Sequence, residues 1–183
     1  MMEPQKEHTI YTIGHSTHPL DVFIKMLEPF NIRVLADIRR FPGSRKYPQF
    51  NQDPLAAALQ NAGIRYVHLE DLGGRRKARP DSENSRWRNE AFRGYADYME
   101  TDAFKTSIRL LETMALKQPL VYMCAEAVWW RCHRALVSDY LKAKGWTVLH
   151  IMGAGKTEIH PYTAPARVYK GQVFYSNESL FGS

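Results

Sequence analysis

Apolar positions along the chain fall into short continuous runs that alternate with longer segments of helical period. Ile10-Tyr11-Thr12-Ile13 reads as a first strand closed by Gly14-His15-Ser16. A helix follows, with Thr17 or His18 at its cap, Pro19 at its first position, and Leu20, Phe23, Ile24 and Leu27 on one face. Arg33 to Ile38 is a second strand. Asp53 as cap, Pro54 in the first turn and Gly63 as stop frame a second helix, with Leu55, Ala58, Leu59 and Ala62 on its apolar face. Ile64 to Leu69 is a third strand, and Asp71-Leu72-Gly73-Gly74 a turn. Phe92, Tyr95, Ala96 and Met99 mark one further helix; Phe104, Ile108, Leu111 and Ala115 mark another. Leu120 to Cys124 is a fourth strand, a helix runs from about Cys132 to Lys144, and Thr147 to Met152 is a fifth strand. Val168 to Tyr175 predicts a terminal hairpin turning at Lys170-Gly171.

Strands alternating with helices predict an α/β domain: a mostly parallel sheet of about five strands with helices on both faces, a Rossmann-like three-layer arrangement, plus the C-terminal hairpin. The length of 183 residues fits one domain, with a core at about 9–152 and an extension at about 153–183. A hydrophobic content of 44% is enough for a packed core and excludes a disordered chain. No apolar run reaches the ~18 residues of a membrane span, and the polar start MMEPQKEHTI is no signal peptide. A cytoplasmic protein with no membrane partner is expected, its two cysteines held as free thiols unless they come within bonding distance.

In a parallel sheet the C-terminal strand ends converge on one edge, where ligands bind. Here those ends carry His15 and Ser16, Asp37 and Arg39, Gly73 and Gly74, and Cys124 and Glu126. The stretch Cys124-Ala125-Glu126-Ala127-Val128-Trp129-Trp130-Arg131-Cys132-His133-Arg134 holds both cysteines. Cys124 reads either as a thiolate nucleophile or as a small buried hydrophobe. Cys132 shares a helical face with Leu136 and Tyr140, which favours core packing. Arg134 suits an anion at a helix start, or an ion pair with Asp37 or Glu126. Asp37 and Arg39 face one side of their strand, either as acid-base and anion-binding groups or as a structural salt bridge. His15 is a candidate general base or an ordinary hydrogen-bonded histidine.

The formal charge of +6 points toward an anionic partner. Two basic segments concentrate it: 39–50, with Ser44 and Arg45, and 73–94, with Arg75. Three familiar signatures fail. Cys124 to Arg131 is one residue too long for a cysteine-phosphatase loop and lacks its glycines. Met152 to Thr157 imitates a P-loop tail, but its first glycine would fall at His150. No G-x-G-x-x-G follows the first strand. No cofactor is expected; a metal ion on Cys124, Cys132, His133 and His15 is disfavoured, because the spacing matches no zinc pattern.

Taken together, Thr12-Ile13-Gly14-His15-Ser16-Thr17, Asp37-Ile38-Arg39, Pro42-Gly43-Ser44-Arg45, Leu72-Gly73-Gly74-Arg75-Arg76, Cys124-Ala125-Glu126 and Cys132-His133-Arg134 form a set. It resembles domain-of-unknown-function family 488, a bacterial and archaeal family, from about Ile10 to His150. The double tryptophan Trp129-Trp130 departs from the usual pattern. The resemblance implies a single α/β domain with these residues clustered, and no particular reaction.

The leading expectation is an enzyme acting on an anionic, phosphate-bearing substrate, either a small molecule or nucleic acid. Cys124, Glu126, His15 and Asp37 would be catalytic. Ser16, Arg39, Ser44, Arg45, Gly73, Gly74, Arg75, Cys132, His133 and Arg134 would bind substrate. Two alternatives stand beside it. One is a nucleic-acid-binding module using Phe41, Tyr47, Phe50 and Trp87 among the cations. The other is a thiol- or metal-dependent protein. The loop 73–85 is long and charged enough to serve as a lid.

Overall fold

The computed structural model describes residues 7–179. Six strands form one sheet: β1 (Thr9–Gly14), β2 (Val34–Asp37), β3 (Arg65–His68), β4 (Leu120–Cys124), β5 (Thr147–Gly153) and β6 (Lys156–Ile159). Their order is β3-β2-β4-β1-β5-β6; the first five are parallel, and β6 returns antiparallel to β5. β7 (Arg167–Tyr169) and β8 (Gln172–Phe174) form the C-terminal hairpin. Its turn uses positive φ at both Lys170 and Gly171, the geometry a tight hairpin needs.

Side-chain alternation sorts the core into two layers. Ile10, Val34, Ala36, Leu120, Tyr122, Cys124 and Val148 face one side of the sheet. α3 (Glu90–Tyr98), α4 (Asp102–Lys117) and α5 (Arg134–Ala143) cover that side. Ile13, Leu35, Val121, Met123 and Ile151 face the other, under α1 (Leu20–Leu27) and α2 (Gln52–Asn61). The helix after β4 therefore lies on the opposite face from the helices after its neighbours β1 and β2. That opposition opens a crevice at the C-terminal end of β4, where Cys124 sits.

Several sequence boundaries shift, each for a local reason. α1 begins at Leu20 with Pro19 as its cap residue and no side-chain cap. α2 begins at Gln52 after Asn51, so Asp53 is already helical; the Asn51 Oδ1 instead accepts the Ser44 N–H at 2.6 Å and pins the basic loop. α5 starts at Arg134, and Cys132 is extended (φ −137°, ψ 170°). Cys132 thus does not share a helical face with Leu136 and Tyr140. The P-loop-like stretch is the β5–β6 hairpin, and β6 is a strand that the sequence reading left in the extension. Gly14 permits the closest approach in the sheet: a Cβ there would lie 1.7 Å from the Glu126 carbonyl oxygen.

Candidate active site

A cavity of about 450 Å³ opens at the crevice. Cys124 and Cys132 line it, with walls from the turns after β1 and β2, from Gly74 and Arg75, from the start of α3 and from the segment 124–133. Of the residues singled out from the sequence, His15, Arg39, Ser44, Gly74, Arg75, Cys124, Glu126, Cys132 and His133 line it. Ser16, Asp37, Arg45, Gly73 and Arg134 do not. Arg40, Arg131 and Tyr95 line it and were not anticipated. Among these lining residues Glu126 is the one carboxylate, and it faces solvent.

The two sulfurs lie 2.8 Å apart, and both are nearly buried. Behind them stands the Arg134 guanidinium, 1% exposed. Its Nε donates to the Cys124 Sγ at 3.0 Å and the Cys132 Sγ at 3.4 Å. Nη2 donates to the carbonyls of Glu126 (2.7 Å) and Ala127 (3.4 Å), and Nη1 to the Thr12 Oγ1 at 3.0 Å. Neither Asp37 nor the Glu126 carboxylate pairs with it, so the ion pairs expected for Arg134 do not form.

A buried cation needs a counter-charge, and the groups in contact that can supply one are the thiols. Burial alone would raise the Cys132 thiol. Burial is the largest single influence, but the hydrogen bond from Cys124, the charges of Arg134 and His133 and the Arg134 backbone N–H together outweigh it, and Cys132 falls to about 5. Cys124 moves the other way: burial and its hydrogen bond to Cys132 hold it well above an ordinary thiol. The pair therefore shares one proton, and Cys132, which also accepts the Arg134 backbone N–H at 3.4 Å, is the sulfur with more donors aimed at it.

The other candidates take different tasks. Both Asp37 oxygens are committed: Arg39 Nε and Nη2 donate at 2.9 and 2.7 Å, and the Tyr66 hydroxyl donates at 2.6 Å. Asp37 is fully buried and shares a face with Leu35, opposite Cys124, so it forms the salt bridge with Arg39 and stands away from the cavity. His15 donates from Nδ1 to the Ser16 carbonyl at 2.8 Å, and its Nε2 accepts from Arg39 at 3.3 Å. Burial, helped by the Arg39 charge, lowers it to about 4, and it stacks on Phe50; it is a neutral spacer and a poor base. His133 donates from Nε2 to the Ile38 carbonyl at 2.9 Å, which leaves Nδ1 as its basic nitrogen. Ser44 uses its hydroxyl to accept the Lys46 and Tyr47 N–H groups and so shapes the loop. Ser16 takes a positive φ as the chain leaves β1. Gly73 packs on the Arg40 backbone, and Gly74 lies against the His133 ring. The loop 73–85 is stapled rather than lid-like: Asp97 accepts from the Arg79 N–H, the Ser82 hydroxyl and the Asn84 amide.

A buried polar chain extends from Arg134 away from the cavity. Thr12 Oγ1 meets His150 Nδ1 at 2.7 Å, His150 Nε2 meets His160 Nδ1 at 2.9 Å, and His160 Nε2 meets Asp139 Oδ1 at 2.9 Å. Asp139 also accepts from the Thr163 N–H and hydroxyl and from the Tyr175 hydroxyl. When Thr12 donates to His150 Nδ1, the bonds run one way, from Arg134 through Thr12, His150 and His160 to Asp139. Burial, aided by the neighbouring His160, keeps His150 neutral, lowering it to about 2. The sequence signal for this chain was partial: Thr12 and His150 are polar residues inside apolar strands, and the sheet sets them in register.

The model of Domain of unknown function DUF488 matches residues 19–141, about two thirds of the chain. The chain belongs to that family. The DUF488 match contains the basic loop, both cysteines and Arg134, and ends before His150 and His160. No curated protein and no solved structure matches. Among the described residues of this DUF488 protein, no cluster of three or more His, Cys, Asp or Glu side chains could hold a metal ion. No helix there is long and apolar enough to cross a membrane.

Proposed function

We propose that this DUF488 protein is a thiolate-dependent enzyme acting on a small anionic substrate at the C-terminal edge of the sheet. One observation carries the reading: a buried arginine whose charge is met by two sulfurs instead of a carboxylate. Cys132 is the nucleophile and Cys124 its hydrogen-bond donor, which moves the leading role from the cysteine first singled out to its partner. The Cys132 sulfur forms a bond to an electrophilic atom of the substrate, and the leaving group departs with its bonding pair. Arg40, Arg75 and Arg131, which have no carboxylate partner among the described residues, hold the anionic part.

The test compares iodoacetate, an anion, with neutral iodoacetamide, mapping each cysteine by mass spectrometry across pH. Cys132 should react below pH 7 and favour iodoacetate more than a free thiol does, and inorganic phosphate should slow it. A Cys132 that stays silent until pH exceeds that of an ordinary thiol, or until the protein is denatured, refutes the reading.

Nucleic-acid binding is the second reading, now resting on fewer residues. Phe41 is 61% exposed beside Arg40, and Trp130 is 49% exposed beside Arg131. Phe50 is buried and Trp87 packs on Phe92 and Tyr175, so neither can stack a base. Steeply salt-dependent retention of single-stranded nucleic acid, lost on Phe41→Ala, would support it.

A further inference from the structure

A nucleophilic thiolate needs one cysteine, and this cavity has two in contact. We propose that Cys132 and Cys124 act as a dithiol pair that reduces small anionic disulfides by two successive exchanges. The proposal rests on the reading of Cys132 as the thiolate and names the substrate class of that site.

The chemistry closes without an added oxidant, because the substrate disulfide is the oxidant. The Cys132 thiolate attacks one sulfur of R–S–S–R′. The Cys132–S–S–R bond forms, the substrate S–S bond breaks, and R′–S⁻ leaves. Cys124 then gives its proton to that thiolate, and its sulfur attacks the Cys132 Sγ. The Cys124–Cys132 bond forms and R–S⁻ leaves. Two electrons have passed from the pair to the substrate, which departs as one thiol and one thiolate. A small dithiol reductant resets the pair.

Arg134 is built for the handover between the two steps. Its Nε lies 3.0 Å from Cys124 and 3.4 Å from Cys132, so it serves either sulfur. While Cys132 is anionic, Cys124 is discouraged from ionising by the charge next to it. Once Cys132 is capped as a mixed disulfide, that repulsion is gone. Arg134, still buried, then has Cys124 as its available counter-ion. The resolving thiolate is thus created by the first step and not before it. Cys124 is held 2.8 Å from the sulfur it must attack, and Cys132 is the more exposed of the two, 8% against 3%, so it is the sulfur offered to the substrate. The cations at the mouth select the charge of the disulfide: Arg40, Arg75 and Arg131 would draw in one bearing carboxylates or phosphates and repel an ammonium-bearing one.

The experiment uses the whole protein, reduced and freed of reductant, at pH 7. One arm receives oxidised glutathione, an anionic disulfide, and the other cystamine, a cationic one. Free thiols are counted and the intact mass is followed. The expected result is loss of both thiols with no added mass, at least about tenfold faster with oxidised glutathione. Cys124→Ser should stop at a stable adduct on Cys132, and Cys132→Ser should not react on the same timescale. A wild-type protein that stops at the adduct overturns the proposal, as does cystamine reacting as fast, or no reaction with either disulfide. The wild-type arms decide this without any variant. If Cys132 alkylates below pH 7 yet fails here, the dithiol proposal falls and the thiolate reading stands. If Cys132 does not alkylate there, the thiolate reading itself has failed.

Discussion

Replacing Arg134 by methionine separates charge from bulk at the site. The side chain is buried and donates to two sulfurs, the Thr12 hydroxyl and the carbonyls of Glu126 and Ala127. Methionine fills comparable space and supplies no charge and no donor. Cys132 sits at about 5, whereas a free thiol sits near ~8.5, so its surroundings favour the thiolate by roughly 5 kcal/mol. After the hydrogen bond from Cys124, the Arg134 charge is the next cause of that preference, and burial opposes both. Without Arg134, burial has less to overcome it, and Cys132 should titrate higher, toward the ordinary thiol near ~8.5. Its thiolate fraction at pH 7 then falls by up to about thirtyfold, and the inflection of its alkylation rate against pH moves up with it. Stability should fall by about 2–4 kcal/mol, because the Glu126 and Ala127 carbonyls and Thr12 lose their donor. The assay is site-resolved alkylation against pH, with urea denaturation on the same samples. Arg134→Lys keeps a charge but not the fork, and should lie between the two. A folded Arg134→Met protein whose Cys132 still alkylates with an inflection near 5 would sink the counter-ion argument.

Two further predictions concern stability. Cys132 releases its proton more readily in the folded state, so between about 5 and ~8.5 the unfolded chain holds one proton more, and stability rises with pH by up to about 1.4 kcal/mol per pH unit. That contribution is lost as pH falls toward 5. His15, His133 and His150, all lowered, add acid sensitivity of the same sign only below about 6.5. The window from pH 7 to 8.5 therefore reads the thiol, and Cys132→Ser should flatten the urea-midpoint profile there; an unchanged slope would contradict the assignment of the charge. Separately, Thr12→Val should destabilise by about 1–3 kcal/mol, by leaving an Arg134 N–H and a His150 nitrogen unpaired. Thr12→Ser should restore most of it, and equal loss in both variants would mean that packing rather than the hydroxyl matters.

The fold was legible because hydrophobic period and turn chemistry agree along most of the chain. The parallel core, the hairpin at Lys170-Gly171 and the placement of Cys124 all follow from them. The site was legible as a place more than as a set of roles. Asp37 seemed to join the cluster because its strand ends at the right edge. Alternation puts it with Leu35, on the face away from Cys124, a distinction strand ends alone do not make. Cys132 is buried, as its core-packing reading expects, but its contact with Cys124 was not legible, because the helix begins at Arg134 and an extended residue before a helix aims its side chain quite differently from one within it. β6 was hidden because its edge position leaves all four residues exposed, without the alternation that marks a half-buried strand. The polar chain to Asp139 joins residues as far apart as Thr12 and His160, a pairing that depends on β1 lying next to β5.

That chain also sets how the molecule comes apart. Its far end is held by His160, Thr163 and Tyr175, all beyond the family match, while its near end touches β1 and α5 inside the core. Removing residues 154–183 would therefore not shed a loose appendage. It would leave Asp139 without His160, Thr163 and Tyr175, and His150 without His160, in the middle of the fold. In the intact protein the amides of β1, α5 and the segment around Tyr175 should open together in hydrogen exchange, as one cooperative unit and not from the tail inward.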